Sequence, residues 1–458
     1  MAFPFGNSAL ALLLTAVLSL AAMITLDGGA GTSQRPDLII ATFTKEHAAA
    51  YAPAIRAFEQ EHGVRISLQV VDQRALQNRL QAAMQVGAQV PDMVELLTGS
   101  MGIFTSGPLS NVGFHDLTDR IAAEGLDQIL VRNRFGLWSS RGRIFALPHD
   151  VHPVMLAYRR DIVERLGINV EELKTWADFE RVGREISKDR DGDGVVEHYM
   201  IDLPSDGGDA LRLLLLQRGV SLFDSKGEVA FDDPRAAQVV IWYVRQTVGP
   251  HRIAFPAGWG QNLAKAMMDG TCLFYICPDW RTKQFVNDVP AVAGKMALLP
   301  LPAWEPGGIR TSTWGGTGLA FPRQSRNFEL AWKLAMRLYF DPDELGQRFA
   351  DTNILPPVRT AWSRPEFSRT DSFFSGQPLG RLYIELADSV PDEPSHTYMN
   401  TAVAKLSEAF QNISLHYRQH GEKGLESFAA KELRRCADRV RIQVNRNVFL
   451  RQDPRRQS

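Results

Sequence analysis

Trp259, Trp280 and Trp314 each stand beside glycine or aspartate. An indole face covers a patch of C–H groups, and a planar carboxylate or amide meets hydroxyls two at a time. Together they are the chemistry of a polyhydroxylated ligand. Trp314-Gly315-Gly316-Thr317-Gly318 carries three glycines within four residues, which lets backbone approach a ligand and present N–H groups. The same run also reads as a tight turn with Trp314 packed inside. Asp279-Trp280 follows Thr271–Cys277, an apolar strand-like segment, and strand ends of open α/β sheets hold ligands. The pair also reads as a helix cap beside a half-buried indole. Trp259, between Gly258 and Gly260, offers a third platform. Glu95 ends the segment Pro91–Leu96, and Thr44 and Glu46 follow Asp37–Phe43. Each faces a strand-end rim, although Thr44 also suits a helix cap. In His149-Asp150 the carboxylate either bridges ligand hydroxyls or holds a turn. Tyr383 is a weaker candidate, and Arg281 is the cation that a phosphorylated ligand would use.

Other chemistries find less support. The chain has no Gly-x-Ser-x-Gly elbow, no Walker A loop and no His-Glu-x-x-His. Its 52 acidic residues permit the carboxylate pair of a glycoside hydrolase, so a carbohydrate-acting enzyme remains an alternative. Asp189-Arg190-Asp191-Gly192-Asp193-Gly194 opens like a calcium loop, but the twelfth position is Met200 where a bidentate Glu is needed. A solvated turn is expected there. Cys272 and Cys277 stand roughly 16 Å apart along an extended segment, beyond disulfide reach. With Cys436 they complete the cysteine set, and no metal-type spacing appears. Neither cofactor nor metal is expected.

These residues need a scaffold of more than one core, because 458 residues exceed a single domain of ordinary size. A net charge of −1 gives no basic excess for nucleic acid. From Met1 to Leu26 no side chain is charged, and Gly28-Gly29-Ala30 supplies small residues after the apolar run. That run reads as a cleaved export signal or as a retained anchor. Asp37–Phe43, Val64–Val71 and Pro91–Leu96 read as strands, with helices over Tyr51–His62 and Leu76–Val86 between them. This alternation belongs to a parallel sheet with crossover helices. Val154–Tyr158 and Thr271–Ile276 read as further strands. Thr175–Ser187 reads as an amphipathic helix capped by Thr175 with Asp178 three residues on. Phe328–Phe340, Thr401–Ser414 and Gly424–Val444 close the chain as helices.

An ordered series of segments resembles the family 1 extracellular solute-binding proteins, the maltose-binding-protein-like group. It comprises Ala57-Phe58-Glu59, Leu80-Gln81-Ala82-Ala83-Met84, Pro91-Asp92-Met93-Val94, Gly142–Asp150 (GRIFALPHD), Leu156–Asp161 (LAYRRD), Thr175–Phe179 (TWADF), Asp191-Gly192-Asp193-Gly194, Ala266–Gly270 (AMMDG) and Trp314–Leu319 (WGGTGL). The resemblance implies a two-lobed α/β fold of the periplasmic-binding-protein type II, each lobe a mainly parallel sheet flanked by helices, with the ligand between the lobes. Carried onto this chain, it places an N-terminal signal or anchor at 1–30 and divides lobe one between 37–149 and 300–342. Lobe two is then 150–299 and 343–450, and 451–458 is a tail. Crossings are expected near Leu147–Val151, Leu298–Pro302 and Asp341–Leu345. The implied function is a monomeric sugar receptor outside the cytoplasm that serves an ABC-type permease. A membrane-anchored sensor of the same fold is the alternative.

Overall fold

The computed structural model describes residues 35–451, so the apolar run at 1–30 and the tail lie outside the described residues. The first strands and helices alternate: β1 (Leu38–Thr42), α1 (Lys45–His62), β2 (Ile66–Val70), α2 (Gln73–Val86) and β3 (Met93–Leu97). Thr44 caps α1 by accepting the His47 N–H at 2.9 Å, and Asp72 caps α2 in the same way. The chain returns to this sheet as β4 (Ala146–Pro148) and then leaves it. The second lobe holds β5 (Val154–Arg159), α3 (Trp176–Ile186), β6 (Tyr199–Asp202), α4 (Gly208–Gln217), α5 (Pro234–Thr247) and β7 (Ala254–Phe255). It continues through α6 (Gln261–Asp269), β8 (Cys272–Pro278), α7 (Asp279–Asp288) and β9 (Met296–Pro300). The expected box at α3 is present: Thr175 Oγ1 accepts the Asp178 N–H at 3.1 Å, and the Asp178 carboxylate accepts the Thr175 N–H at 3.0 Å. The chain then re-enters lobe one as β10 (Thr317–Ala320). Helices α8 (Phe328–Phe340), α9 (Pro342–Thr352), α10 (Leu379–Ala387), α11 (Met399–His420) and α12 (Leu425–Arg446) follow.

Two five-stranded sheets result, ordered β2-β1-β3-β10-β4 and β9-β5-β8-β6-β7. β1 is parallel to β2 and β3, and β6 is parallel to β7 and β8. β10 runs antiparallel to β3 and β4, and β5 antiparallel to β8 and β9. Four strands of each sheet therefore run one way, mainly parallel as expected, and one runs against them. The reversed strands β5 and β10 are those that follow a passage from the other lobe. Alternation along β5 feeds two cores: Val154, Leu156 and Tyr158 join the core with α3, α5 and α12, while Met155 and Ala157 face the core that holds α8 and α10.

Two crossings fall elsewhere than expected. Residues 301–311 still pack on lobe two: Trp176 N–H donates to Ala303 O at 2.9 Å, and Gln217 donates to the carbonyls of Pro302 and Ile309. The passage to lobe one comes at 312–317, where Val154 N–H meets Ser312 O and Thr313 bridges Pro153. The return is also later, because α9 lies against α1 and α8 and buries Leu345 and Phe349 in a core shared with lobe one. The connection Pro391–His396 then touches both lobes. Ser395 N–H donates to Gly136 O at 2.9 Å, Glu393 pairs with Arg212 of α4 at 2.9 Å, and His396 stacks on Phe223.

Gly318 shows how tightly β10 is fitted. A Cβ there would lie 2.5 Å from the ring of the buried Trp138. Gly318→Ala is expected to cost about 1–3 kcal/mol through overpacking. Urea denaturation measures it, and a midpoint equal to the parent's would disprove the close fit.

Candidate functional site

The strand ends and crossings sort the candidate residues into two groups, one with faces free and one locked inside. Trp259, Trp280 and Trp314 form the first. Trp259 and Trp280 lie nearly parallel, with ring centroids 6.4 Å apart and planes 11° apart. Trp314 stands edge-on to both, at 5.8 and 5.7 Å. The Trp280 indole N–H donates to Trp314 O at 2.9 Å, tying α7 to the crossing. Trp259 is 52% exposed, and the other two indoles are half-buried. Gly315 adjoins them with φ at 99°, and a Cβ on it would come within 3.5 Å of the Trp280 ring nitrogen. Arg281 lies beneath this group, its guanidinium 4.7 Å from the Trp259 centroid and 5.6 Å from that of Trp314. It is buried, donates to Ile276 O at 2.6 Å and lies 3.8 Å from Asp202. Burial lowers the Arg281 pKa and raises that of Asp202, outweighing their mutual attraction. Arg281 therefore supports the indoles and is buried away from the solvent side, where a phosphorylated ligand would need a cation.

Three of the carboxylates expected at the ligand, Glu95, Asp150 and Asp279, turn inward. Glu95 is fully buried and saturated: Oε1 accepts from the Tyr51 and Tyr339 hydroxyls at 2.5 and 2.7 Å, and Oε2 accepts from Thr42 at 2.5 Å and faces His47 Nδ1 at 2.9 Å. Burial works to raise its pKa, but the His47 imidazole and these donors hold the carboxyl far below the usual range. Asp279 is also fully buried. Its Oδ1 accepts from His152 at 2.6 Å and from Trp280 N–H at 2.7 Å, and its Oδ2 accepts from Leu355 N–H at 2.8 Å. Asp150 accepts from Thr317 N–H at 2.8 Å and from His152 Nε2 at 3.1 Å, with Arg134 and His149 beside it. Thr317 is buried with it, and Gly316 fits against Leu137 and Arg134. Thr44 caps α1, and Glu46 is exposed in its first turn. Tyr383 is wholly buried in α10.

His152 joins the lobes. Its two ring nitrogens bridge Asp150, at the end of lobe one, and Asp279, at the start of α7 in lobe two. Its φ of 53° turns the chain sharply at the first crossing. Burial would lower its pKa, but the two carboxylates push it up to about 9. The imidazolium in turn helps hold Asp150 well below the carboxylate range against burial. His149 behaves oppositely: burial and the Arg348 charge lower it to about 3, so its ring is neutral. Sequence reading missed His152, Arg134 and His47, because none stands in a motif. A His three residues after His149, before a Pro, was the one local sign of a turn.

Two cavities, of about 290 and 470 Å³, open elsewhere in lobe one, beside Arg79 and Pro91 and beside Met84 and Arg323. Neither includes an indole of the cluster. The indoles, in contrast, offer aromatic faces next to the interlobe crossing.

Two α/β sheets joined by crossing segments, with aromatic faces at the junction, define the class of two-lobed ligand-binding proteins. Residues 41–336 match the bacterial extracellular solute-binding protein family, and the chain belongs to it. Among its relatives, the arabinooligosaccharide-binding protein of Halalkalibacterium halodurans is 24% identical over 84% of this chain and 86% of its own. The protein of that name in Bacillus subtilis is 23% identical over 87% and 90%. The sugar-binding protein MalE of Xanthomonas citri shares the fold with a TM-score of 0.70 at 18% identity, over 89% of this chain and 99% of its own. Among the described residues no helix is long and apolar enough to cross a membrane.

Proposed function

We propose that the protein captures a neutral oligosaccharide between its lobes, outside the cytoplasm, and delivers it as a monomer to the permease of an ABC-type importer. The carrying observation is the cluster of Trp259, Trp280 and Trp314, three indoles with part of their surface free at the lobe junction. Such faces suit the C–H patches of stacked sugar rings. The nearby charges support the same reading, since Asp150, Asp279 and Arg281 are all turned into the protein and paired. A ligand at these indoles meets little free charge, which favours a neutral saccharide over a phosphorylated compound. Relatives named for arabino-oligosaccharides, aligned over most of their length, point to short pentose chains as the first ligands to try. If the apolar N-terminal run is retained, it tethers the receptor to the membrane.

Calorimetric titration with arabino-, galacto- and malto-oligosaccharides and with a phosphorylated polyol tests this. Saturable binding of a neutral saccharide is expected, with a change in tryptophan fluorescence. Binding of the phosphorylated compound alone would defeat the proposal, as would product formation from any saccharide. Trp314→Ala is expected to weaken saccharide binding about tenfold, on the order of 1–2 kcal/mol, while the protein stays folded. Unchanged affinity in the folded variant would remove Trp314 from the site.

A further inference from the structure

Three groups of metal-ligating side chains come together among the described residues. Asp189, Asp191 and Glu197 are solvent-facing, and their oxygens already accept backbone N–H groups of their own loop. Glu408, Glu432 and Cys436 are neutralised by Arg435 and Lys405. The third group differs. His47, Glu95 and His149 are all buried, come from α1, β3 and the first crossing, and each places a ligand atom within 4.8 Å of the others.

We propose that His47, Glu95 and His149 form a binding site for one divalent transition-metal ion, zinc by preference, at the root of the first crossing. Two imidazoles and one carboxylate are a borderline-soft donor set that suits tetrahedral zinc and leaves one position open. The surrounding contacts are those such a site uses. His149 Nδ1 lies 3.3 Å from Asp150 Oδ2, so the proton sits there and the carboxylate orients the ring. Nε2 is then left with a lone pair, and it is buried without a hydrogen-bond partner. A buried nitrogen in that state costs stability unless something occupies its lone pair. The His47 and His149 rings lie 4.4 Å apart, which keeps both close to Glu95. On Glu95, the two tyrosine hydroxyls hold Oε1 and the Thr42 hydroxyl donates to Oε2, fixing the carboxylate plane; the ion would take the place of the proton between Oε2 and His47 Nδ1. Arg348 lies over the Tyr51 and Tyr339 rings at 5.6 and 5.5 Å, and its charge makes this site weaker than one without a neighbouring cation. His47 is in the first turn of α1 next to the exposed Glu46, which gives a short route from solvent. The ion would pin β3, α1 and the first crossing together.

The test uses the untagged chain, stripped with a chelator and titrated with cobalt(II), whose visible spectrum reports geometry and ligand type. One equivalent per chain is expected, with the intense d–d bands of a four-coordinate nitrogen and oxygen site and no thiolate charge-transfer band. Zinc should displace it. His47→Gln and His149→Gln should each weaken cobalt binding at least tenfold, whereas Cys436→Ser and Asp191→Asn leave it unchanged. If His149→Gln does not fold, His47→Gln decides. Six-coordinate spectra, a thiolate band, full affinity in the His47 variant or no binding by the parent would each overturn the site.

Discussion

Asp279→Ala is expected to lower the unfolding free energy by about 3–5 kcal/mol, the usual cost of removing one partner from a buried ion pair. The carboxylate accepts from His152, Trp280 N–H and Leu355 N–H, so its loss strands three donors at once. It also leaves the buried His152 imidazolium with Asp150 alone. Because Asp279 begins α7 and fixes Trp280, saccharide affinity should fall along with stability. Asp279→Asn keeps one acceptor and should cost less. Urea denaturation of the three proteins gives the order, and a parent-like Asp279→Ala would show that the bridge is not a load on the fold.

The second large effect is one of pH. His152 is raised to about 9 in the folded chain, against an ordinary value of 6.5. Below 6.5 both folded and unfolded chains carry the proton, and the stabilisation is fully present. Between 6.5 and 9 only the folded chain keeps it, so stability falls as pH rises. The total is on the order of 3 kcal/mol, because each pKa unit is worth about 1.4 kcal/mol. Denaturation of metal-stripped protein at pH 6.5, 7.5, 8.5 and 9.5 should trace this decline. His152→Asn, chosen because asparagine tolerates a positive φ, should flatten it. A slope that persists in the variant would assign the titration to another group.

Much of the fold is legible in the sequence because its signals are short-range. The strand–helix–strand alternation of 37–96 follows from apolar spacing, and the Thr175–Asp178 box is complete within four residues. The ordered segments from Ala57 to Leu319 pointed to the family, and the match over 41–336 agrees. The three indoles could be named as candidates because glycine and aspartate flank them.

Tertiary structure alone decided which candidates keep a free face. Asp279 follows the end of β8, where ligand-binding carboxylates belong, and Glu95, expected at the end of its strand, sits in the middle of β3; their partners lie 127 and 48 residues away at His152 and His47. No local pattern records such a pairing. The crossings shifted for the same reason: 301–311 stay on lobe two because of Trp176 and Gln217, and α9 stays on lobe one because of α1 and α8. Local sequence sets backbone propensity and the period of burial. Whether a carboxylate meets a sugar or a buried imidazole depends on which distant segment fills the space above it, because leaving that charge buried and unpaired costs more than any local preference supplies.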